Sequence, residues 1–471
     1  MTLKTLALFG LLLALVGCED TGALTGTDAG LNADAGPAGN RQISYTPEGC
    51  AYAVTSPMVA GTAMHADEAG ASPAPDHIHV SWAGPSNSTF AVNWRTGYDT
   101  MLSQVLYGTD EAAVASADGP GTGVTVQSGH SMVYGTALTF RLHEAHVCGL
   151  ADGTRYFYKV GGAGHWSEVF DVATAPALAS IESFTFAVSG DSRNEPSIWA
   201  ETQKAINDHA VDFQVFSGDA VILGALQPEW DSFFEAASGD VSVQDVIART
   251  PFMLANGNHD GLATNYLAQF ALPQEVTPGE RGEGEEWYSF DYANAHFVVL
   301  NDTSTSSLIE GAESTWLRDD LMAVDRTTTP WIFVIHHVPP YTCATAHSSD
   351  LTLRAAWQPI YDEARVDFVF NGHNHNYERS RPIRGFSTGG TEGQVQATGA
   401  NGIPVNNSGT VYVVAAGAGA PLYGVDPSTT SYTHIAESVR NYVIVTIENR
   451  TMHYTAYRLD GTVLDQFDYT K

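Results

Sequence analysis

Five short motifs rich in Asp, Asn and His residues, each following an apolar run, could carry out metal chemistry. In chain order they are Gly190-Asp191-Ser192-Arg193, Gly218-Asp219, Gly257-Asn258-His259-Asp260, His336-His337-Val338-Pro339-Pro340-Tyr341 and Gly372-His373-Asn374-His375. Together they supply carboxylates, one amide and several imidazoles, the mixed oxygen and nitrogen set that borderline transition metals prefer. A pair of ions held by such a set generates a hydroxide at neutral pH and clamps a phosphoryl group. The motifs therefore predict a two-metal hydrolase.

The elements before the motifs predict how they come together. Runs that are typical of strands precede all five motifs: Phe184 to Ser189, Phe213 to Phe216, Pro251 to Ala255, Trp331 to Ile335 and Val366 to Phe370. Ligands of open α/β sheets gather beyond the carboxyl ends of the strands, so the motifs should meet at one edge. His373 and His375 are two residues apart, so an extended backbone would point both imidazoles to one side.

The order of these motifs resembles that of the calcineurin-like metallophosphoesterases, and within them the purple acid phosphatase branch. The string from Gly372-His373-Asn374-His375 through Asn376-Tyr377-Glu378-Arg379-Ser380-Arg381-Pro382 is similar to that branch's most specific motif. The resemblance covers roughly residues 75 to 471. It implies an α/β (α+β) four-layer metallophosphoesterase sandwich with an N-terminal all-β sandwich domain.

The resemblance also implies roles for individual residues. It gives six metal ligands: Asp191 and His375 for the first ion, Asp219 as the bridge, and Asn258, His337 and His373 for the second ion. His337 is preferred to His336 because His-Val-Pro-Pro-Tyr fits the family's His-x-Pro-x-Tyr. Four further residues are candidates for catalysis: His259 beside the leaving group, Asp260, His347 facing the substrate, and Arg193. The ions implied are two of iron, zinc or manganese.

Two positions depart from the family pattern. Purple enzymes have a tyrosine three residues after the second Asp, where this chain has Ile222, which cannot bind iron. Other branches have a histidine two residues after the first Asp, where this chain has Arg193. The first ion is thus left with three identifiable ligands. Arg193 has two interpretations, a structural salt-bridged arginine or a residue whose fork of donors contacts phosphate.

The charge composition of the chain limits the partners that the protein is expected to bind. The chain has 471 residues, enough for two or three domains, and a formal net charge of −32 from 53 acidic and 21 basic residues. Such a charge would repel nucleic acid and anionic membrane surfaces, so we expect neither as a partner. A small phosphoester could still bind, because bound metal ions dominate the local potential.

The N-terminus predicts export. The apolar run Leu6 to Val16 is too short to span a bilayer, and Leu15-Val16-Gly17-Cys18 resembles the lipobox of bacterial lipoproteins. Residues 1–18 are therefore predicted to be a lipoprotein signal peptide, with Cys18 as the lipid anchor and sole membrane contact at the cell envelope. An ordinary secretory signal cut nearby is the alternative, which would give a periplasmic or secreted protein.

The remaining sequence predicts a linker and two domains. Residues 19–74 begin with an Ala, Gly, Thr and Asp-rich tract and are predicted to be a flexible linker. Residues 75–176 alternate apolar and polar positions, which predicts a β-sandwich similar to a fibronectin type III-like domain. Residues 180–471 change to a βαβ pattern and form the predicted catalytic domain. Cys50 is expected to pair with Cys148, which leaves Cys343 as a free thiol.

The function predicted is metal-dependent phosphomonoester hydrolysis at the cell envelope. A phosphodiesterase of the same superfamily is the first alternative, because one metal core serves both reactions. A cell-surface binding protein with a degenerate catalytic domain is the second, because the first metal shell is incomplete.

Overall fold

The structure is a computed structural model that describes residues 41–58, 63–133, 139–274, 285–388, 390 and 392–471. The predicted signal peptide, the anchor Cys18 and the first part of the predicted linker lie outside the described residues. Among the helices of the described ranges, none combines the length and hydropathy needed to cross a bilayer.

The N-terminal domain is a sandwich of two antiparallel sheets, as predicted. One sheet has, in spatial order, the strands Ala63–Met64, His130–Met132, Phe140–Cys148, Thr89–Gly97 and Asp76–Ser81. The other has the strands Phe170–Ala173, Arg155–Gly161, Gln104–Gly108 and Thr125–Ser128, with a short helix Glu111–Ser116 alongside. Alternate residues of a strand face one side, and this places Phe90, Val92 and Trp94 in the buried core.

The prediction of a flexible linker over residues 19–74 was wrong for the described part of that range. Strands Arg41–Tyr45 and Val54–Met58 pair antiparallel, and Ala63–Met64 joins the first sheet. A disulfide between Cys50 and Cys148 ties this segment to the sandwich and confirms the predicted pairing. The Tyr45 hydroxyl bonds His130 Nδ1 at 2.7 Å, and the Tyr52 hydroxyl bonds His146 Nδ1 at 3.1 Å.

The catalytic domain has two mixed sheets packed face to face. The six-stranded sheet contains, in spatial order, Phe252–Leu254, Phe213–Phe216, Phe184–Ser189, Asn441–Glu448, Thr451–Arg458 and Val463–Thr470. The seven-stranded sheet contains Tyr288–Tyr292, Ala295–Val299, Trp331–Ile335, Phe368–Asn371, Val411–Ala415, Tyr377–Ser380 and Thr433–Glu437. Phe186 of the first sheet contacts Phe297 and Phe333 of the second, each with ring centroids 5.2 Å apart. Aromatic side chains therefore fill the space between the sheets.

Helices cover the outer faces of both sheets, which confirms the four-layer sandwich. Ile206 of helix Pro196–Asn207 packs on Ala187 and Ile444 of the six-stranded sheet. Trp357 of helix Leu351–Ala364 packs among Ile332 and Val334 of the seven-stranded sheet. The other helices are Gln227–Phe234, Val243–Ile247, Thr264–Gln269, Ser306–Leu308, the π-helix Ile309–Glu313, Ser314–Ala323, and the 3-10 turns Ala400–Gly402 and Pro427–Thr429. Short hairpins join Ala237–Ser238 to Val241–Ser242 and Ile383–Phe386 to Gly393–Val395.

The strands end where the five motifs begin. In the six-stranded sheet the neighbouring strands that end at Ser189, Phe216 and Leu254 run parallel. In the seven-stranded sheet the neighbouring strands that end at Ile335 and Asn371 also run parallel. The carboxyl ends of parallel neighbours share one edge of a sheet, so both sheets deliver their motifs to the same end of the domain.

Candidate metal centre

The five motif loops interlock through their backbones. Asp191, Asp219 and His373 adopt left-handed backbone angles, with φ of 59°, 57° and 65°. Residues other than glycine seldom adopt this conformation, and such strain concentrates at functional sites. The Asp191 amide donates to Gly218 O at 3.0 Å, and the His373 amide donates to the two Asp191 carboxylate oxygens at 3.1 and 3.0 Å. Each loop thus fixes its neighbour.

Two glycines allow the loops to approach this closely. A Cβ on Gly372 would lie 2.5 Å from Asp191 Oδ2 and 2.9 Å from His337 Nδ1. A Cβ on Gly257 would lie 2.3 Å from Asp219 Oδ1. Atoms cannot approach so closely, so any side chain at these positions would displace a predicted ligand.

The second site, formed by Asn258, His337, His373 and Asp219, fits a metal ion. His337 Nε2 lies 3.1 Å from Asn258 Oδ1 and 3.3 Å from Asp219 Oδ1. His373 Nδ1 lies 3.0 Å from Asn258 Oδ1. His337 Nδ1 donates to Ser217 O at 2.8 Å, which orients Nε2 toward the site, as outer partners of metal-ligating histidines do. Both imidazole nitrogens lie within 3.1 Å of Asn258 Oδ1, and that of His337 also faces Asp219, so the donor types suit a divalent transition ion.

Charge at the second site depends on Asp219. Burial lowers the pKa of His337, but the adjacent Asp219 carboxylate outweighs burial and raises this pKa to about 10. Burial raises the pKa of Asp219, but His337 and the amide of His259 outweigh it and hold this pKa well below its usual range. Burial and the charge of His337 lower the pKa of His373 to about 3, so His373 is a neutral imidazole. His337 would have to lose its Nε2 proton to hold an ion, so metal affinity would depend on pH.

The first site, formed by Asp191, Asp219 and His375, already contains a cationic side chain. These three buried residues offer ligand atoms that all lie within 4.8 Å of one another. Arg193 lies among them, since its Nε donates to Asp219 Oδ2 at 3.0 Å and its Nη2 donates to His375 Nε2 at 3.1 Å. The structure shows Arg193 in a salt bridge that lies inside the first site, with further N–H donors not used in it.

The other catalytic candidates occupy different positions. The His259 amide donates to Asp219 Oδ1 at 2.9 Å, and its Nδ1 donates to Ile222 O at 2.8 Å, which leaves Nε2 to exchange a proton. His347 is exposed, with its ring 4.4 Å from the His373 ring, at the mouth of the centre. Burial, followed by the nearby charges of His375 and Arg193, lowers the pKa of His347.

Asp260, predicted to be a catalytic residue, directs its carboxylate at backbone amides of the motif loops. Its carboxylate is buried and accepts backbone N–H bonds from Asp219 at 2.8 Å, Ala220 at 3.0 Å and Gly257 at 2.9 Å. Burial and the neighbouring Asp219 raise the pKa of Asp260 to about 7. Because both oxygens bind the backbone of two motif loops, Asp260 is a positioning residue.

Of the two adjacent histidines, the structure brings His337 into the centre and turns His336 away. His336 Nδ1 donates to Asp302 Oδ2 at 2.9 Å, and its ring packs on Trp357. The sequence interpretation missed Tyr423, whose ring stacks on His375 with centroids 4.0 Å apart. The same strand-end argument could have found it, because the loop after strand Val411–Ala415 leaves the same sheet edge as the fifth motif.

Comparison with known proteins agrees with this architecture. Residues 75–174 match the purple acid phosphatase N-terminal domain, and residues 184–377 match the calcineurin-like phosphoesterase domain. Purple acid phosphatase 22 of Arabidopsis thaliana is 30% identical over 319 residues, which span 66% of this chain and 68% of that protein. This chain belongs to the purple acid phosphatase family. The predicted membership is thereby confirmed.

Other purple acid phosphatases and related enzymes extend the likeness. A phosphoenolpyruvate phosphatase of Allium cepa is 26% identical over 398 residues, 80% of this chain and 77% of that enzyme. The purple acid phosphatase PPD1 from yellow lupin seeds shares the fold, with a TM-score of 0.68 at 19% identity over 84% of this chain and 74% of that one. Family membership supports metal-dependent hydrolysis of phosphoric esters, and the family uses a dinuclear metal centre. Arg193, one of the two predicted departures from the family pattern, lies in the first site.

Replacing Gly372 with alanine tests the close packing of the loops. Gly372→Ala should move Asp191 and His337, and it should lower metal affinity or kcat/KM by about 10–100-fold, the usual cost of disturbing groups that orient ligands. Metal titration followed by calorimetry measures the affinity, and circular dichroism checks the fold. Gly311→Ala is the matched control, because a Cβ there meets nothing within 4 Å. Unchanged metal affinity in Gly372→Ala would contradict the geometry described.

Proposed function

We propose that this protein is a phosphomonoesterase. The observation that carries the proposal is the convergence of Asn258, His337, His373 and Asp219 beside the guanidinium of Arg193. In a chain with a formal net charge of −32, this is a local concentration of cationic and metal-ligating groups, the environment that a doubly charged phosphoryl group requires. The likeness to a phosphoenolpyruvate phosphatase, whose name describes a monoesterase, adds support.

The second site supplies the metal chemistry. When bound there, a divalent ion supplies positive charge for the phosphoryl oxygens and lowers the pKa of a water molecule. His337 and His373 would hold it with imidazole nitrogens, and Asn258 would hold it with the amide oxygen. The Asn258 side chain is exposed, so its amide nitrogen is available to donate to a phosphoryl oxygen of the substrate.

His259 is the general acid in this proposal. Its Nδ1 hydrogen bond to Ile222 O fixes the ring, so a proton carried on Nε2 is transferred to the leaving oxygen. The hydrogen bond from its backbone N–H to Asp219 Oδ1 holds the residue next to the second site. His347 and Tyr423, whose rings lie 5.4 Å apart at the mouth, are placed to contact the alcohol portion of the substrate.

Metal removal and two chromogenic substrates test the reaction. Dialysis against a chelator should abolish hydrolysis of p-nitrophenyl phosphate, and added Mn²⁺ or Zn²⁺ should restore it. The Asp219→Asn variant should not regain hydrolysis when these ions are added, because the substitution removes one carboxylate oxygen that faces His337 or Arg193. Bis-p-nitrophenyl phosphate should turn over more slowly than the monoester. Faster diester turnover would make the protein a phosphodiesterase, and no turnover of either would favour a binding protein with a degenerate catalytic domain.

A series of aryl phosphates tests His259. His259→Ala should slow esters with poor leaving groups by about 10²–10⁴, the usual value of a placed proton donor, and slow good leaving groups much less. Metal content should stay at the wild-type level. His347→Ala serves as the control, because an exposed residue at the mouth should raise KM without changing the leaving-group dependence. Equal slowing of all esters by His259→Ala would remove its role as general acid.

We also propose that the protein is exported and lipid-anchored through Cys18. The disulfide Cys50–Cys148 supports export, because disulfides persist mainly in oxidising compartments. The short apolar run and the lipobox-like Leu15-Val16-Gly17-Cys18 support the anchor.

Replacing Cys18 tests the anchor. Cys18→Ser should move the protein from the detergent-extracted membrane fraction to the soluble fraction, because a thioether to lipid can no longer form. Cys343→Ala is the control, since Cys343 is a buried free thiol and its loss should leave the distribution unchanged. A Cys18→Ser protein that remains in the membrane fraction would show that another segment holds it there.

A further inference from the structure

We propose that this protein has a one-metal centre in which the guanidinium of Arg193 takes the place of the first metal ion. The inference rests on the proposed function, because the second site must hold the ion that remains. It extends that function by giving the Arg193 side chain the task of binding phosphoryl oxygens, which the first ion has in a two-metal centre.

The hydrogen bonds of Arg193 use the atoms that a first ion would need. His375 Nδ1 donates to Pro421 O at 2.6 Å, so Nε2 is the nitrogen that is left to accept a hydrogen bond or to bind an ion. Arg193 Nη2 donates to that nitrogen at 3.1 Å. A nitrogen lone pair cannot bind an N–H and a metal ion at once. While Arg193 holds this position, His375 is therefore removed from the ligand set of the first site.

The Asp219 carboxylate of the first site needs a positive charge, and Arg193 supplies it. Asp191 and Asp219 are both fully buried, and buried carboxylates are costly unless a cation compensates them. Arg193 Nε donates to Asp219 Oδ2 at 3.0 Å. A guanidinium stays charged at every relevant pH, so the compensation does not depend on metal supply.

Arg193 is held from several directions. Besides its bonds to Asp219 and His375, its Nη1 donates to Asn194 Oδ1 at 2.9 Å. Only 12% of the side chain is exposed. A planar group fixed in this way pre-orients its remaining N–H donors for phosphoryl oxygens, the arrangement that stabilises developing charge most effectively.

A second position, residue 222, also has a side chain that cannot bind the first metal ion. Ile222 stands where purple enzymes have a tyrosine ligand. An aliphatic side chain cannot donate to an ion. The two positions that complete the first metal shell elsewhere in the superfamily are thus a cation and a hydrocarbon here, and neither binds a metal.

Metal content of the holoprotein is the test. Protein saturated with Mn²⁺ and then freed of excess ion should carry one ion per chain by plasma mass spectrometry. Arg193→Ala should bind a second ion, because His375 Nε2 and Asp219 Oδ2 are released. Arg193→Lys is the matched control and should keep one ion, because it retains the charge. The double variant Arg193→His with Ile222→Tyr restores two donor side chains and should bind the second ion more tightly than Arg193→Ala.

The outcomes separate this inference from the proposed function. Two ions per chain in active wild-type protein would overturn the inference and leave phosphatase activity intact. One ion in both Arg193→Ala and the double variant would also overturn it, because Arg193 would not then be what excludes the ion. If Arg193→Ala fails to fold, the number of ions per chain in the wild-type protein and in the double variant tests the inference. One ion in wild-type protein without hydrolysis of p-nitrophenyl phosphate would uphold the one-metal centre and contradict the proposed function.

Discussion

The buried carboxylate of Asp219 is the group on which the whole centre depends. It has no exposed surface, and burying an unpaired carboxylate costs several kcal/mol. Its Oδ1 accepts from the His259 amide and faces His337 Nε2, while its Oδ2 accepts from Arg193 Nε. These partners come from three other motifs in distant parts of the sequence. Compensating one buried charge therefore requires the same convergence of loops that builds the metal site.

Asp219 is held in place by residues that lie deeper in the domain. Asp260 binds the amide of Asp219 and that of Gly257, so one buried carboxylate fixes the loops that carry the other ligands. Behind these loops, the rings of aromatic residues such as Phe186 and Phe333 meet edge to face and hold the two sheets together. The resulting centre is asymmetric. Its second site groups nitrogen and oxygen donors that would hold an ion, whereas in its first site the donors bind a guanidinium.

Much of this architecture could be predicted because it follows from local pattern. Phe184–Ser189 and Trp331–Ile335 are strands with the bounds predicted, because uninterrupted apolar runs suit strands buried on both faces. The convergence of the motifs followed from the shared edge of parallel strands. The choice of His337 over His336 came from a family pattern, and the structure places His337 in the centre.

Other features depend on contacts that pattern does not encode. Arg193 binds His375, which lies 182 residues away in the sequence, so only the folded loops reveal the pair. Asp260 shares a motif with His259, yet the tight turn sends its carboxylate into the backbone of the neighbouring loop. The tract before the first domain has a polar, tether-like composition, but a disulfide of sequence separation 98 anchors its described part.

Anomalous X-ray diffraction from crystals of the Mn²⁺-loaded protein tests the central claim most directly. We expect one anomalous peak, surrounded by Asn258 Oδ1, His337 Nε2, His373 Nδ1 and Asp219 Oδ1, with the guanidinium of Arg193 ordered between Asp219 and His375. A second peak of comparable height between Asp191 and His375, with Arg193 displaced from both partners, would contradict it.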